Sequence, residues 1–175
     1  DKQSIVDRIP GAAAVGTSEL SSGWAQCDIE PSPYDPDAAR ALLEAAGWID
    51  EDKDGVRECV GCAYAEPGTP LRLKIQTTAG NEVRESVEEM LAEMMLDIGI
   101  ELYAENLPPT ELFGGWDNKA SSAHGNFDIL MFTRGGNVEP QGTMWGAYHS
   151  SQIPTYGNSG SGSNYSRWSD ETTDA

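Results

Sequence analysis

Basic residues are scarce in this sequence: 11 Lys and Arg stand against 29 Asp and Glu, a formal charge of −18 over 175 residues. That balance repels a polyanion such as DNA and excludes nucleic-acid binding as a function. No run of eighteen apolar residues occurs, so no segment is long and apolar enough to cross a bilayer as a helix. Histidine is limited to His124 and His149, which lie far along the chain from the paired cysteines and lack helical spacing, and this leaves a four-ligand zinc site short of donors. The serines around Ser121, Ser150, Ser151 and Ser159 sit in no Gly-x-Ser-x-Gly elbow, and neither a Lys-bearing phosphate loop nor a dinucleotide fingerprint is present. With both histidines in polar stretches, no nucleophile and base pair can be assembled, and the expectation is a protein that binds rather than one that catalyses.

Cysteine is also sparse. Cys27, Cys59 and Cys62 make an odd number, so at least one thiol is free or pairs outside this chain. Cys59-Val-Gly-Cys62 runs on into Ala-Tyr-Ala-Glu-Pro-Gly, a loop rather than the helix that follows a redox pair. A zinc half-site and a redox motif compete with a short-range structural disulfide between Cys59 and Cys62. The disulfide is the reading that suits an oxidising compartment.

What is present is globular: 38% apolar and 23% charged residues, with 19 Gly and 10 Pro that indicate generous polar connections. One domain with one core is expected at this length. Residues 1–34 read as a helical scrap from Ser4 to Ile9 and then an extended connection rich in Gly, Ala, Ser and Pro. Asp35-Pro36-Asp37 supplies a carboxylate N-cap and a proline at the first helical position, and the helix formers of 38–46 close at Gly47. Leu42, Leu43, Ala46 and Trp48 are its expected buried stripe. Leu71, Leu73, Ile75 and Thr77 alternate with Arg72, Lys74 and Gln76, a strand with one wet face. Gly80-Asn81 opens a helix carrying Val83, Val87, Met90, Leu91, Met94 and Ile98 as a core stripe that ends at Gly99, and Ile100 to Tyr103 begins a second strand. The crossover is long enough to make the two strands parallel. Pro109 to Trp116 reads as a short helix or turn, and Phe127 to Phe132 as a third, buried strand. Residues 135–175 turn to Gly, Ser, Asn and aromatics, with 156–165 nearly structureless by composition. The fold class is α/β, a mixed sheet flanked by helices.

Two constellations could carry chemistry. Asp50, Asp52 and Asp54, followed by Gly55, place carboxylates at positions one, three and five of a calcium-type loop, with the Val56 carbonyl at seven and Glu58 at nine. The bidentate Glu of an EF-hand is replaced by Gly61 at position twelve, so the alternatives are a weak calcium site and a hydrated acidic turn. The second constellation follows the third strand. Thr133, Arg134, Gly136 and Asn137 would emerge at its C-terminal end with Trp145 and Tyr148 beyond, where open α/β sheets bind ligands. Arg134 can pair a carboxylate through two donors, and the aromatics offer flat apolar area with polar tips. The competing reading makes Arg134 a surface charge and the aromatics core.

These stretches, taken in order, resemble family 5 extracellular solute-binding proteins, the dipeptide, oligopeptide and nickel receptors of ABC importers. Asp1-Lys-Gln-Ser-Ile-Val-Asp7 is similar to that family's first helix here, and Pro33 to Trp48 to its most recognisable one, with the acidic Asp-Gly loop in its usual place. Leu71 to Thr78, Asn81 to Gly99 with Ile98-Gly-Ile-Glu101, Phe127-Asp-Ile129, and Gly162 to Ser169 also fit. The resemblance implies one lobe of a type II periplasmic-binding-protein-like fold, a C-terminal piece of a longer two-lobed receptor. It further implies a small solute such as a peptide as cargo, a membrane permease and the second lobe as partners, and a place in the periplasm or tethered by lipid outside the cytoplasmic membrane. Where peptide-specific members carry an aspartate that holds the ligand's α-amino group, this chain has Gly136. The departure points instead to Arg134 for an anionic group, or to Trp145 for sugar or other polar cargo. A calcium-stabilised surface or adhesion module is the runner-up.

Overall fold

The computed structural model describes residues 1–11, 14–18, 20, 24–26, 29–133 and 139–174. The chain divides into two compact units, one of Asp1–Val15, Pro31–Ile75 and Gly80–Glu105, the other of Gly16–Glu30, Gln76–Ala79 and Asn106–Ala175.

In the first unit, Asp1 caps helix α1 (Lys2–Arg8) by accepting the Ser4 N–H at 3.0 Å. Helix α2 (Pro36–Ala45) starts as its sequence signals require: the Asp35 carboxylate accepts the Ala38 N–H at 2.9 Å and proline fills the first turn. It stops before Gly47, whose φ of +84° is the left-handed conformation that glycine adopts freely. A Cβ there would lie 2.7 Å from the Cys62 backbone nitrogen, so the close approach also demands glycine. Strands β1 (Trp48–Ile49) and β2 (Glu58–Cys59) pair antiparallel, Trp48 opposite Cys59, and Cys59 is joined to Cys62 as a disulfide.

Strand β3 (Arg72–Gln76) pairs in parallel with β4 (Glu101–Ala104), in the register Arg72 to Glu101 through Ile75 to Ala104. Helix α3 (Glu82–Leu96) is the crossover, its start set by Asn81, whose side chain accepts the Arg84 N–H. The core of this unit is Val56, Cys59, Leu71, Ile75 and Ile100.

Two expected stripes are corrected here. Leu42 is 72% exposed and Ala46 is exposed too. The half-buried side of α2 is Pro36, Ala39, Arg40 and Leu43, spaced i, i+3, i+4, i+7. Arg40 draws that side inward by pairing with Asp97 at 2.7 Å, and Leu42, about 100° round the helix from Leu43, is left outside. On α3, Val83 and Leu96 are exposed while Val87, Met90, Leu91 and Met94 are half-buried and Glu88 is buried. One layer of strands beneath a long helix covers only part of its circumference.

Arg57 is a polar member of that core. It is buried, and its guanidinium donates to the Ile98 carbonyl and the Trp48 carbonyl, each at 2.9 Å, and pairs with Glu44 at 3.3 Å. Its backbone N–H donates to the Gly99 carbonyl, and its carbonyl accepts from Leu71. Gly99 is held to glycine by this side chain, since a Cβ there would come within 2.6 Å of Arg57 Cγ.

The second unit holds α4 (Pro109–Leu112), α5 (Ser121–His124), β5 (Ile129–Leu130), α6 (Gln141–Tyr148) and α7 (Glu171–Asp174), with 3₁₀ turns at Trp116–Asn118, Ser150–Gln152 and Tyr156–Asn158. Gln76, expected on a wet face, is wholly buried, as is Thr77. The reason is a set of polar partners. The Ser121 hydroxyl donates to Gln76 Oε1 at 2.6 Å, the Met131 N–H donates to the Gln76 carbonyl, and the Thr77 hydroxyl donates to the Met131 carbonyl at 2.8 Å. The expected third strand over 127–132 is correspondingly short, two residues long and only half-buried, because a side-chain hydroxyl takes the place of a backbone rung beside it.

The stretch 156–165 is more ordered than its composition suggests. Thr155 and Asn158 form a reciprocal capping box. Buried Asn164 donates to the His149 and Trp168 carbonyls, and its Oδ1 accepts from the Trp168 N–H and the Ser166 hydroxyl.

Replacing Arg57 with Ala leaves two buried carbonyls without their charged donor and should cost about 2–3 kcal/mol. Lysine, which keeps the charge but loses the planar fork, should recover less than half of that. Urea unfolding of the two variants beside the parent chain measures both; a loss below about 0.5 kcal/mol for Arg57→Ala is the surface-substitution value and contradicts the assignment.

Candidate functional site

Helix α6 carries the aromatic residues singled out by sequence. Gln141, Met144, Trp145 and Tyr148 recur at i, i+3, i+4 and i+7 and, with His149 and Thr173, line an open hollow of about 270 Å³. Trp145 is half exposed, and its ring lies 3.6 Å centroid to centroid from that of His149. Tyr148 is half-buried on the same face. The helix forms because Pro140 enters at its start and no β-branched run interrupts it; Gly146 is tolerated inside because the Ser163 hydroxyl donates to its carbonyl at 2.9 Å. Gln141, Met144 and Thr173 were not among the residues singled out, and helical spacing applied to 141–148 is the signal that finds the first two. Thr173 arrives through tertiary structure alone.

His149 is not in a loop without a role. Its Nδ1 accepts the Ser151 N–H at 3.1 Å, capping the next 3₁₀ turn, and Asp174 Oδ1 lies 3.8 Å from the same nitrogen. His124, on α5, stacks on Trp116 with centroids 3.9 Å apart, and its Nε2 is 3.0 Å from the Trp116 carbonyl oxygen. The hydroxyl and backbone N–H of Ser150 both donate to Asp174 and hold its carboxyl below its ordinary value of 3.8, against a smaller opposing effect of burial.

Thr133 is exposed just after Phe132, whose ring meets Phe113 edge-on at 5.4 Å beside Tyr165. Arg134, Gly136 and Asn137 lie outside the described residues, as does Cys27.

The acidic loop joins β1 to β2. Asp50, Asp52, Asp54 and Glu58 each bring one carboxylate oxygen within 4.8 Å of the others. Asp50 Oδ2 accepts the Gly55 N–H, Asp52 Oδ1 the Asp54 N–H, Asp54 Oδ1 the Val56 N–H, and Glu58 Oε2 the Glu51 N–H. Val56 itself is buried in the core.

Parallel strands joined by a helix in one unit, and an aromatic helix face in the loop-rich other, form a portion of a type II periplasmic-binding-protein fold. The chain belongs to the bacterial extracellular solute-binding proteins, family 5, whose middle region matches residues 1–155. It is 25% identical over 158 residues to the oligopeptide-binding protein AppA of Bacillus subtilis, covering 87% of this chain and 27% of AppA. It is 29% identical over 109 residues to the nickel-binding periplasmic protein of Escherichia coli, covering 58% of this chain and 19% of that protein. The chain thus spans about a quarter of the length of these relatives. Among solved structures, AppA in complex with a nonapeptide superposes with a TM-score of 0.76 at 24% identity, covering 99% of this chain and 32% of AppA. NikZ from Campylobacter jejuni, in complex with Ni(L-His), gives 0.75 at 22% over the same shares. No helix among the described residues is long and apolar enough to cross a membrane.

Because the Asp174 carboxyl is depressed in the folded state, its contacts with Ser150 contribute stability that is complete above the unfolded carboxylate value near 3.8 and is lost as pH falls through that region. Asp174→Asn should therefore lower the unfolding midpoint at pH 7 and have a shrinking effect at lower pH. Melts of the two proteins from pH 7 down to about pH 3 should converge; a gap that stays constant rules out the charged contact.

Proposed function

We propose that this chain is a ligand-gripping part of an extracytoplasmic receptor that delivers a small solute, a peptide in the first instance, to an ABC permease, and that it does so without catalysis. The observation that carries this reading is the family match over residues 1–155. The α6 face supports a binding role: Trp145 and Tyr148 offer apolar area with polar tips, and Gln141 adds a donor and an acceptor at the edge of the hollow. A hollow lined mainly by apolar and aromatic groups suits a peptide side chain better than a hydrated metal ion. AppA, held in its structure with a nonapeptide, supports the same choice of cargo.

In the proposed receptor this part forms one wall of the site, and a second lobe supplies the other and closes over the ligand. The receptor works in the periplasm or tethered by lipid at the outer face of the cytoplasmic membrane. Arg134 joins the site on sequence grounds, as the cation in a segment where Gly136 offers no carboxylate for a peptide's amino group. Anionic peptides are therefore the cargo to test first.

Intrinsic fluorescence titrated with acidic and neutral peptides, oligosaccharides and nickel chelates tests the proposal, using the receptor in its full length. Saturable binding of a peptide without its breakdown is expected, weakened about tenfold, or 1.4 kcal/mol, by Trp145→Ala. Arg134→Ala should weaken binding of acidic peptides by about 1 kcal/mol or more and leave neutral ones unchanged. Saturable binding only of sugars or nickel chelates rejects the peptide assignment, and hydrolysis of the bound peptide rejects the receptor reading itself.

A further inference from the structure

The hollow on α6 is bounded by polar groups that are largely spent on one another. The Thr173 hydroxyl accepts the Trp168 indole N–H and donates to Asp170, each at 3.1 Å. Asp174 accepts the Ser150 N–H at 2.8 Å. The amide of Asn164 donates to the His149 carbonyl at 3.1 Å and fixes the backbone at the end of α6. The His149 side chain joins these parts. Its ring packs on that of Trp145 at 3.6 Å, with 30° between the planes, and its Nδ1 accepts the Ser151 N–H at 3.1 Å. That side chain is 16% exposed.

A ring nitrogen that accepts a hydrogen bond carries no proton, so the Ser151 contact belongs to the neutral ring with its hydrogen on Nε2. Protonation makes Nδ1 a donor that faces another donor, and the bond that caps the turn Ser150–Gln152 is lost. Among the described residues one carboxylate pairs with this ring, Asp174, whose Oδ1 lies 3.8 Å from the same nitrogen and just beyond hydrogen-bond length. The other acids of that segment are placed differently. Asp170 accepts from the Thr172 and Thr173 N–H groups as well as from the Thr173 hydroxyl, and Glu171 is exposed. From α6 the hollow receives Gln141, Met144, Trp145 and Tyr148, none of them a carboxylate or a cation.

We propose that His149 is the positioning residue of this aromatic wall and makes it sensitive to pH. The neutral ring supports Trp145 and caps the following turn; the protonated ring releases the Ser151 N–H and turns toward Asp174, taking its support away from Trp145. Histidine is the side chain whose charge ordinarily changes between about pH 5 and 8. Asp174 is already held by Ser150, so the ring moves to a carboxylate that is in place. Asn164 grips the His149 carbonyl through a neutral amide, so the backbone at the end of α6 stays while the ring and the turn adjust. That this wall grips cargo rests on the function proposed above; that it moves with pH does not, and its measurement needs no cargo.

NMR of the ¹⁵N-labelled chain, titrated between about pH 8 and 5, reads the movement. At the upper end the His149 ring should carry its proton on Nε2. As pH falls, the Ser151 amide and Trp145 indole N–H signals should shift together, with the midpoint of the His149 ring; Trp145→Phe identifies the indole signal. His149→Asn keeps a good cap and an acceptor for the Ser151 N–H but does not titrate, so it should fold and leave both signals still over the same range. His124, the other histidine, stacks on Trp116, and its titration is read at the Trp116 indole instead. A proton on Nδ1 at the upper end overturns the proposal. So do a His149 ring that does not titrate in this range, Ser151 and Trp145 signals that stay still while it does, or signals that shift equally in His149→Asn. Should that variant not fold, the titration of the parent chain decides by itself.

Discussion

The first unit depends on a buried guanidinium. Arg57 donates to the backbone carbonyls of Trp48, the first residue of β1, and of Ile98, two residues past α3, and pairs with Glu44 on α2 itself. Carbonyls in the connections that follow a helix have no intrahelical partner, and a planar fork of donors satisfies two of them from one position. That is why α2 can remain a surface helix with Leu42 in water and still be fixed. Its place is set by polar contacts, from Arg57 to Glu44 near its C-terminal end and from Arg40 at its middle to Asp97, rather than by a broad apolar seam. Gly47 and Gly99 complete the arrangement by letting backbone come close where a side chain would collide.

Features of the fold that are written in local chemistry were legible in advance. Asp35-Pro36 and Asn81 mark helix starts through interactions confined to three or four residues, and the alternation from Leu71 with a long crossover to Ile100 requires parallel strands. What was hidden is whatever depends on partners far away in sequence. Gln76 reads as solvent-facing from its alternation, and the Ser121 hydroxyl, 45 residues on, helps to make its burial tolerable. The pinning of residues 149–168 by Asn164 has no periodic signature at all, and α6 was obscured by the Gly and Ser of its surroundings. For the candidate site, Trp145 and Tyr148 could be named from their chemistry. Their companions Met144 and Gln141 needed the helix to be recognised, and Thr173 needed the tertiary structure.

The two units use polar burial in different ways. In the first, one charged group serves several carbonyls of regular elements. In the second, the exposed Arg167 also donates to the Ala123 and Pro154 carbonyls, but the buried groups are neutral hydroxyls and amides that stand in for missing backbone rungs, as the Thr77 hydroxyl does toward Met131 and Asn164 toward His149 and Trp168. Neutral networks cost less to bury than charges and keep their geometry across a wide pH range, which suits a surface whose aromatic residues must be presented without a covering sheet.

Asn164 shows what such pinning permits. A ladder of backbone bonds constrains every residue along it, whereas one amide clasping the His149 and Trp168 carbonyls fixes the ends of a stretch whose interior is held by separate local contacts, among them the Thr155 and Asn158 capping box and the Ser163 hydroxyl on Gly146. Positions between 150 and 163 that make none of these contacts can then change, and the closure of the stretch by Asn164 survives the change.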